Sequence, residues 1–186
     1  MANKQIKDFI AKDPLSATDK LLIQESGGVT KYVTALNIAS HGQLKFPATQ
    51  NPSSNANTLD DYEEGSFFPI VEGSTAAGTC TYANQRGRYT KIGRICFFSI
   101  YLNVNTFTGT GNILIKNLPF STESSSTLHA LSVAAGALTF SGQLCALIET
   151  NANYINIESF ATGGALTAVA VDAAFLINIE GFFEVA

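Results

Sequence analysis

Four carboxylates stand close together and are the first residues to consider for chemistry. Asp60, Asp61, Glu63 and Glu64 fall within residues 60–64. Paired carboxylates hydrolyse glycosides when they flank a sugar across a cleft. Neighbouring carboxylates in a polar lead-in segment hold that geometry poorly, so we expect these side chains to face solvent or a subunit interface. The sequence therefore predicts no enzymatic activity from this cluster.

The histidines and cysteines also lack partners at the spacing that catalysis or metal binding needs. The two histidines, His41 and His129, have no cysteine or carboxylate at metal-ligand spacing. The three cysteines, Cys80, Cys96 and Cys145, are an odd number without C-x-x-C spacing. This pattern predicts buried thiols rather than a disulfide framework. We expect no cofactor and no metal bound by one chain, while an ion held on an axis by several copies stays an open alternative.

Composition and charge argue against nucleic-acid and membrane partners. Residues 1–46 carry six lysines against four acidic side chains, a net charge of +2, and the remainder carries five basic and eleven acidic side chains, a net charge of −6. An acidic domain without a basic stripe is not expected to bind nucleic acid. No apolar run approaches the roughly 20 residues that span a bilayer. Only 14% of the residues are charged, which indicates either surface covered by partner subunits or a polar, uncharged surface.

Short strand-like runs separated by Gly, Ser, Thr and Asn turns predict an all-β protein. Residues 95–104 are apolar or aromatic at nearly every position, which predicts a strand buried on both faces, with the second face covered by a neighbouring subunit. The strands are predicted at residues 67–72, 79–83, 87–92, 94–103, 112–117, 128–133, 143–149, 154–159 and 174–185. This spacing predicts a β-sandwich or jelly roll.

The N-terminal part predicts a small hairpin followed by a linker. Residues 19–25 and 29–34 read as two strands around a Ser-Gly-Gly turn. A hairpin of this size is marginally stable alone, so it needs another surface to pack on. We assign residues 1–40 to this segment, residues 41–58 to an extended linker rich in Gly, Pro, Ser and Asn, and residues 59–186 to the main domain. The polar N-terminus has no signal-peptide core.

Three spaced motifs carry a family resemblance. They read LDDYEEGSFFP from Leu59, TYANQRGRYTKIG from Thr81 and NLPF from Asn117. In this order they resemble a segment of tailed-bacteriophage tail-fibre and tailspike proteins, with the pattern LDDYEEGxWTP, xYxxQxGxYxKIG and a GLPF-like turn. Phe67, Phe68 and Asn117 stand where that family usually has Trp, Thr and Gly.

The resemblance implies a homotrimeric, all-β virion domain that is made in the host cytoplasm. The N-terminal hairpin is similar to the opening segment of many phage fibre and head-fibre proteins, which implies attachment to other virion proteins. The expected attachment residues are Leu21, Leu22, Ile23, Val29, Tyr32 and Val33. The expected subunit interface comprises Asp60, Asp61, Tyr62, Phe67, Arg88, Phe97 and Tyr101. Some of Arg86, Arg88 and Arg94 are expected to pair with the acidic cluster, either within one chain or across subunits.

Two functions follow from this reading. The first is a short trimeric tail fibre, attached to the virion by its N-terminus, whose C-terminal knob contacts a host saccharide or protein. The contact loops would be residues 105–111, 121–127 and 151–153, because turns carry function while strands carry the scaffold. The second is a capsid decoration, head-fibre or tail-connecting protein that binds no receptor.

Overall fold

The computed structural model describes residues 20–24, 30–34, 46, 49, 54, 55, 57–125 and 128–186. The chain divides into two compact units, Met1–Gln50 and Asn51–Ala186. Every regular element among the described residues is a β-strand, in agreement with the all-β prediction. No helix in this part of the chain is long and apolar enough to cross a membrane.

The first unit contains the predicted hairpin strands. Strands β1 (Lys20–Gln24) and β2 (Thr30–Thr34) pair antiparallel, with Leu22 opposite Tyr32 and Leu21 opposite Val33. Five of the six predicted attachment residues lie in these strands, and Val29 lies outside the described residues. Most of the predicted linker, residues 41–58, also lies outside them.

The second unit is one antiparallel sheet, which contains ten strands in the described part of the chain. The strands are β3 (Tyr62–Phe67), β4 (Ile70–Gly73), β5 (Cys80–Ile92), β6 (Ile95–Phe107), β7 (Ile113–Lys116), β8 (His129–Gly136), β9 (Gln143–Ile148), β10 (Ile155–Phe160), β11 (Thr167–Ala168) and β12 (Phe175–Glu184). Their order across the sheet is β3-β5-β6-β12-β8-β9-β10-β7-β4, with β11 beside β10.

The sheet curls so that the inward side chains of both halves form one apolar core. Alternate residues point inward because successive side chains in a strand lie on opposite faces. The buried members from β6 and β12 are Cys96, Phe98, Ile100, Leu102, Val104, Phe107, Phe175, Ile177, Ile179 and Phe183. Those from the other half include Val71, Ile113, Ile115, Ile148, Ile155 and Ile157. The Val71 N–H donates a 2.9 Å hydrogen bond to the Tyr82 hydroxyl, which ties β4 at one end of the sheet to β5 near the other.

The outward face of β6, which the sequence predicts a neighbouring subunit to cover, is exposed in the single chain. Phe97 is 47% exposed and Ser99 is exposed, while Tyr101 and Asn103 are only partly covered. A single chain supplies one core, and that core covers one face of the sheet. Nothing within the described residues covers the other face.

Two predicted strand boundaries are also wrong, for local physical reasons. Residues 80–83 and 87–92 belong to one continuous strand, β5, because the register shifts on either side of Tyr82 leave one extra residue in β6 and one in β5, and regular pairing resumes at Asn84. Residues 67–72 are not one strand, because Pro69 lacks an N–H donor and separates β3 from β4. β3 then pairs with β5, whereas β4 pairs with β7. The two-residue strand β11 was not predicted.

Candidate functional site

The three sequence motifs meet at one place in the fold. The first motif forms β3, the second forms most of β5, and the third forms the segment after β7. The antiparallel register of β3 and β5 sets Glu63 opposite Lys91 and Phe67 opposite Gly87. Phe120 of the third motif then packs beside Tyr89 of the second. We call the side chains gathered here the motif cluster: Asp61, Glu63, Phe67, Gly87, Tyr89, Lys91 and Phe120.

A buried ion pair lies at the centre of the motif cluster. The Lys91 ammonium group donates to the Asp61 carboxylate, and both side chains are nearly inaccessible to solvent. The same ammonium group lies 5.6 Å from the centroid of the Phe120 ring, a cation–π contact. The Gly93 N–H donates a 2.9 Å hydrogen bond to the Asp61 carbonyl. Removing one partner would leave an uncompensated charge in the interior, so the pair fixes how the three motifs meet.

Aromatic contacts complete the motif cluster. The Tyr89 ring meets Phe120 edge-on at a centroid distance of 5.4 Å and lies 6.3 Å from the Phe67 ring. The Tyr89 hydroxyl donates to the Glu63 carboxylate, and this hydrogen bond, with a smaller contribution from burial, raises the pKa of Tyr89 to about 12. Gly87 allows the close approach of Phe67, because a Cβ at Gly87 would lie 2.5 Å from the Phe67 ring. The motif cluster is therefore built from internal packing.

The acidic cluster is engaged by partners other than the predicted arginines. Lys91 is the cation that pairs with Asp61, and Tyr89 donates to Glu63. Glu64 accepts a 3.0 Å hydrogen bond from the Tyr62 hydroxyl, and this bond raises the pKa of Tyr62. Arg94 pairs instead with Glu184, with 3.6 Å between Nε and Oε1. The described residues contain no group of three His, Cys, Asp or Glu side chains arranged to hold a metal.

An open groove lies on the outward face of β3, β5, β6 and β12. Its volume is about 940 Å³. Outward-facing side chains from the four strands line it, namely Glu64, Ser66, Arg88, Thr90, Phe97, Ser99 and Glu180. Two of the predicted interface residues, Arg88 and Phe97, therefore lie in the groove, and Tyr62 and Tyr101 lie on the same face of the sheet.

The other predicted interface residues have different surroundings. Asp61 and Phe67 are buried inside the chain itself, as parts of the motif cluster. Asp60 is partly exposed just before β3. The sequence interpretation missed Lys91 and Glu180, although both can be placed by counting alternate residues along their strands. Lys91 lies two and four residues after the inward-facing Tyr89 and Gly87, so its side chain also faces inward. Glu180 directly follows the buried Ile179, so its side chain faces outward.

Two of the predicted contact loops come together in the structure. The Thr122 N–H donates to the Ala152 carbonyl, and the Ala152 N–H donates to the Thr122 hydroxyl, both at 2.9 Å. The Thr122 hydroxyl, which is fully buried, also donates to the Glu149 carbonyl at 2.6 Å. These bonds hold residues 121–125 against residues 151–153, with Asn151 and Asn153 exposed. Residues 126 and 127 lie outside the described part of the chain.

The third predicted loop lies at the opposite end of the sheet. β6 continues to Phe107, so only residues 108–111 of the predicted 105–111 loop connect strands. Thr108 is held by a 2.9 Å hydrogen bond from the Thr79 N–H to its hydroxyl. Val104 pairs with Phe175 near this end, whereas the Glu123 N–H donates to the Glu184 carbonyl at the other. The three candidate loops therefore do not form one surface.

The fold is similar to that of part of a solved bacteriophage protein. The crystal structure of the Dettilon tailspike protein matches this chain with a TM-score of 0.56 and 23% sequence identity. The match covers 67% of this chain and 24% of the tailspike chain, so the matched part of this chain spans about a quarter of that protein. No protein-family model and no curated protein matches the sequence. The likeness shows the fold of the sheet.

Proposed function

We propose that this chain is a structural protein of a tailed-bacteriophage virion, acting as a short trimeric tail fibre. Residues 1–40 attach it to other virion proteins, and the knob formed by residues 59–186 contacts the host surface. The observation that carries the proposal is the tailspike-like fold with the three fibre motifs assembled in one cluster. Sequence motifs and fold point independently to the same class of protein.

The knob is proposed to be a β-sandwich of the jelly-roll kind. The two halves of the curled sheet share one core, which supports two packed layers. The trimer is supported by apolar side chains that one chain leaves exposed, such as Phe97 and Phe182. Low charge, 14% of residues, agrees with a surface that other copies partly cover.

Host contact is assigned to the joined loops at residues 121–125 and 151–153. These loops are fixed by backbone hydrogen bonds, while Ser124, Ser125, Asn151 and Asn153 are exposed. Exposed amide and hydroxyl groups on a rigid frame suit hydrogen bonding to a saccharide or a protein surface. No enzymatic step is proposed for these loops or for the acidic cluster, whose Asp61 and Glu63 are engaged within the motif cluster.

An adsorption experiment tests the proposal. Host cells are incubated with the purified full chain, and the adsorption rate of phage particles that carry the chain is then measured. We expect the wild-type chain to slow adsorption and an Asn151→Ala, Asn153→Ala double variant to slow it less. The matched control is Asn84→Ala, an exposed asparagine on β5 outside all three candidate contact loops.

Imaging of particles with a label bound to this chain separates the two hypotheses drawn from the sequence. A label at the tail tip, together with blocked adsorption, supports the fibre. A label on the capsid or between tail components, with adsorption unaffected, would replace the fibre by the decoration or connecting protein. A label on neither part of the particle would refute the virion assignment.

A further inference from the structure

We propose that the outward face of β3, β5, β6 and β12 packs against two further copies of this chain, with Arg88 of one copy paired to Glu180 of the next. This inference rests on the proposed trimer and adds which surface closes it. It also assigns the groove to subunit contact rather than to host binding. Neither Phe182, Ile92 nor Glu180 belongs to the interface that the sequence predicted.

An apolar patch occupies one end of this face. Tyr62 lies opposite Ile92, and Phe97 lies opposite Phe182, so the four side chains stand on neighbouring strands. Their exposed fractions are 38% for Tyr62, 43% for Ile92, 47% for Phe97 and 56% for Phe182. The Phe97 and Phe182 rings are in contact, with centroids 5.8 Å apart.

The exposed area of this patch has the size of the centre of a subunit interface. A large side chain contributes about 150–250 Å² when it is fully buried, so four that are half exposed leave on the order of 400 Å² of apolar surface. An apolar patch of a few hundred Å² with a polar rim marks an interaction site. A standard interface buries about 800 Å² on each partner. The patch would supply about half of that area, and the polar residues around it would have to supply the rest.

Opposite charges lie next to the patch and have no ion-pair partner among the described residues. Along one row of the sheet, Ser66 lies opposite Arg88, Arg88 opposite Ser99, and Ser99 opposite Glu180. Arg88 and Glu180 are exposed and sit two strand spacings apart, about 10 Å. A neighbour placed head to tail brings its Glu180 to this Arg88, and the third copy closes the ring. Each copy therefore offers a cation at one side of the face and an anion at the other, as a head-to-tail contact requires.

The outward face at the other end of the sheet gives a contrast. Lys116 on β7 pairs with Glu72 on β4 at 2.6 Å, and the Asn156 amide donates to Glu149 at 3.0 Å. These charged groups have their partners within the chain, unlike Arg88 and Glu180. The two outward faces of the sheet thus differ in charge pairing.

A saccharide is a weaker fit to the groove than another copy. Of the aromatic residues at the groove, Phe98 is buried and the Tyr89 hydroxyl is bonded to Glu63, so the outward ring is that of Phe97, which has no hydrogen-bond donor. A sugar in the groove would leave Ile92, Tyr62 and Phe182 in water, because these side chains do not line it. A second and third copy cover both the groove and the patch. Host saccharide binding at this face is kept as an outcome of the test.

The first experiment measures solution mass by light scattering over a range of protein concentrations. We expect a trimer for the wild-type chain and for Phe140→Ser, a matched control that is 42% exposed outside this face. The double variant Phe97→Ser, Phe182→Ser should dissociate to folded monomers, because both side chains are exposed in the single chain and the fold does not depend on them. Near-ultraviolet circular dichroism checks that the variant is folded.

The second experiment reverses the charges. Arg88→Glu alone and Glu180→Arg alone should each raise the concentration needed for trimer formation by more than about tenfold, because each places like charges together. The double reversal should restore the wild-type value. A face that makes no contact between copies would give three variants with unchanged association.

The outcomes separate this inference from the proposed function. A wild-type trimer that persists in the phenylalanine and single charge variants refutes this face as the contact but leaves the fibre intact. Variants that stay trimeric yet lose the ability to block phage adsorption would make the face a host-binding site instead. A wild-type monomer would overturn both this inference and the trimeric part of the proposed function.

Discussion

The buried ion pair between Asp61 and Lys91 gives the sharpest stability prediction. Only 10% of the Asp61 side chain and 7% of the Lys91 side chain is exposed. The perturbation is a double-mutant cycle made of Asp61→Asn, Lys91→Met and the variant with both changes. Each single change leaves the other charge buried without its counter-ion, whereas the double change removes both charges.

The expected magnitudes follow from this burial. Removing one partner of a buried pair costs about 3–5 kcal/mol of unfolding free energy. For a unit of this size each kcal/mol corresponds to roughly 3–5 °C in melting temperature, so a single variant should melt about 10–20 °C lower. The double variant should recover at least half of the loss, because no charge is then left in the interior and Met is close in volume to Lys. Loss of the cation–π contact between Lys91 and Phe120 keeps the recovery incomplete.

The assay is urea unfolding followed by far-ultraviolet circular dichroism, with all variants at one protein concentration, because assembly shifts apparent stability. Arg94→Met is the matched control. It removes an ion pair to Glu184 in which 78% of the arginine side chain is exposed. Such a pair contributes about 0–1 kcal/mol.

The result that would refute this reasoning is specific. If Asp61→Asn and Lys91→Met each cost less than about 1 kcal/mol, the pair behaves like a surface ion pair and does not hold the motifs together. If both singles are costly but the double variant loses their full sum, the two side chains are not coupled.

Three further predictions concern neighbouring residues. Gly87→Ala should lower the free energy of unfolding by about 1–3 kcal/mol, because the new Cβ would lie 2.5 Å from the Phe67 ring. The control Gly136→Ala, whose new Cβ would have its nearest neighbour at 4.0 Å, should change it by no more than about 0.5 kcal/mol. Equal melting temperatures for the two variants would contradict this prediction. In an absorbance titration one tyrosine should ionise near pH 12 and be missing in Tyr89→Phe. Since the folded pKa of Tyr89 lies above its ordinary value of 10.0, the stabilisation from this group is complete below pH 10 and is lost as the pH rises through about 12, and the Phe variant should lack that loss. Burial raises the pKa of the Cys96 thiol to about 12. Iodoacetamide should therefore alkylate Cys96 at pH 8 only after the chain unfolds, which mass spectrometry can measure. Alkylation of the native chain as fast as of the unfolded chain would show that the thiol is accessible and refute the prediction.

Alternation along the strands made much of the fold predictable. The inward set of β6 and most of the inward set of β12 follow directly from the period of two, and both strands lie where the sequence places them. The bulge near Tyr82 was not predictable, because it depends on the register against β6. The pairing of β4 with β7 rather than with β5 is a long-range choice that no local pattern records.

The sequence predicted where the candidate site lies, but not which side chains contact each other within it. The motifs located the acidic cluster and the aromatic residues that pack together, yet the cation that joins them is Lys91 rather than an arginine. The distinction depends on which way β5 faces, since Arg86 and Arg88 alternate outward while Lys91 points inward. The two-sided apolar pattern of residues 95–104 indicated a second covered face, but not which strands share it, because Ile92 and Phe182 join Phe97 there only through the pairing of β5, β6 and β12.

The position of β12 in the sheet has a consequence for biosynthesis. β12 fills the space between β6 and β8, although both of those strands precede it in the sequence. Until residues 175–184 emerge from the ribosome, β6 and β8 each keep an open edge whose backbone groups can pair with another nascent chain. A ribosome paused before that point would hold an incomplete sheet prone to aggregation, so we expect chaperones to bind stalled chains more than finished ones.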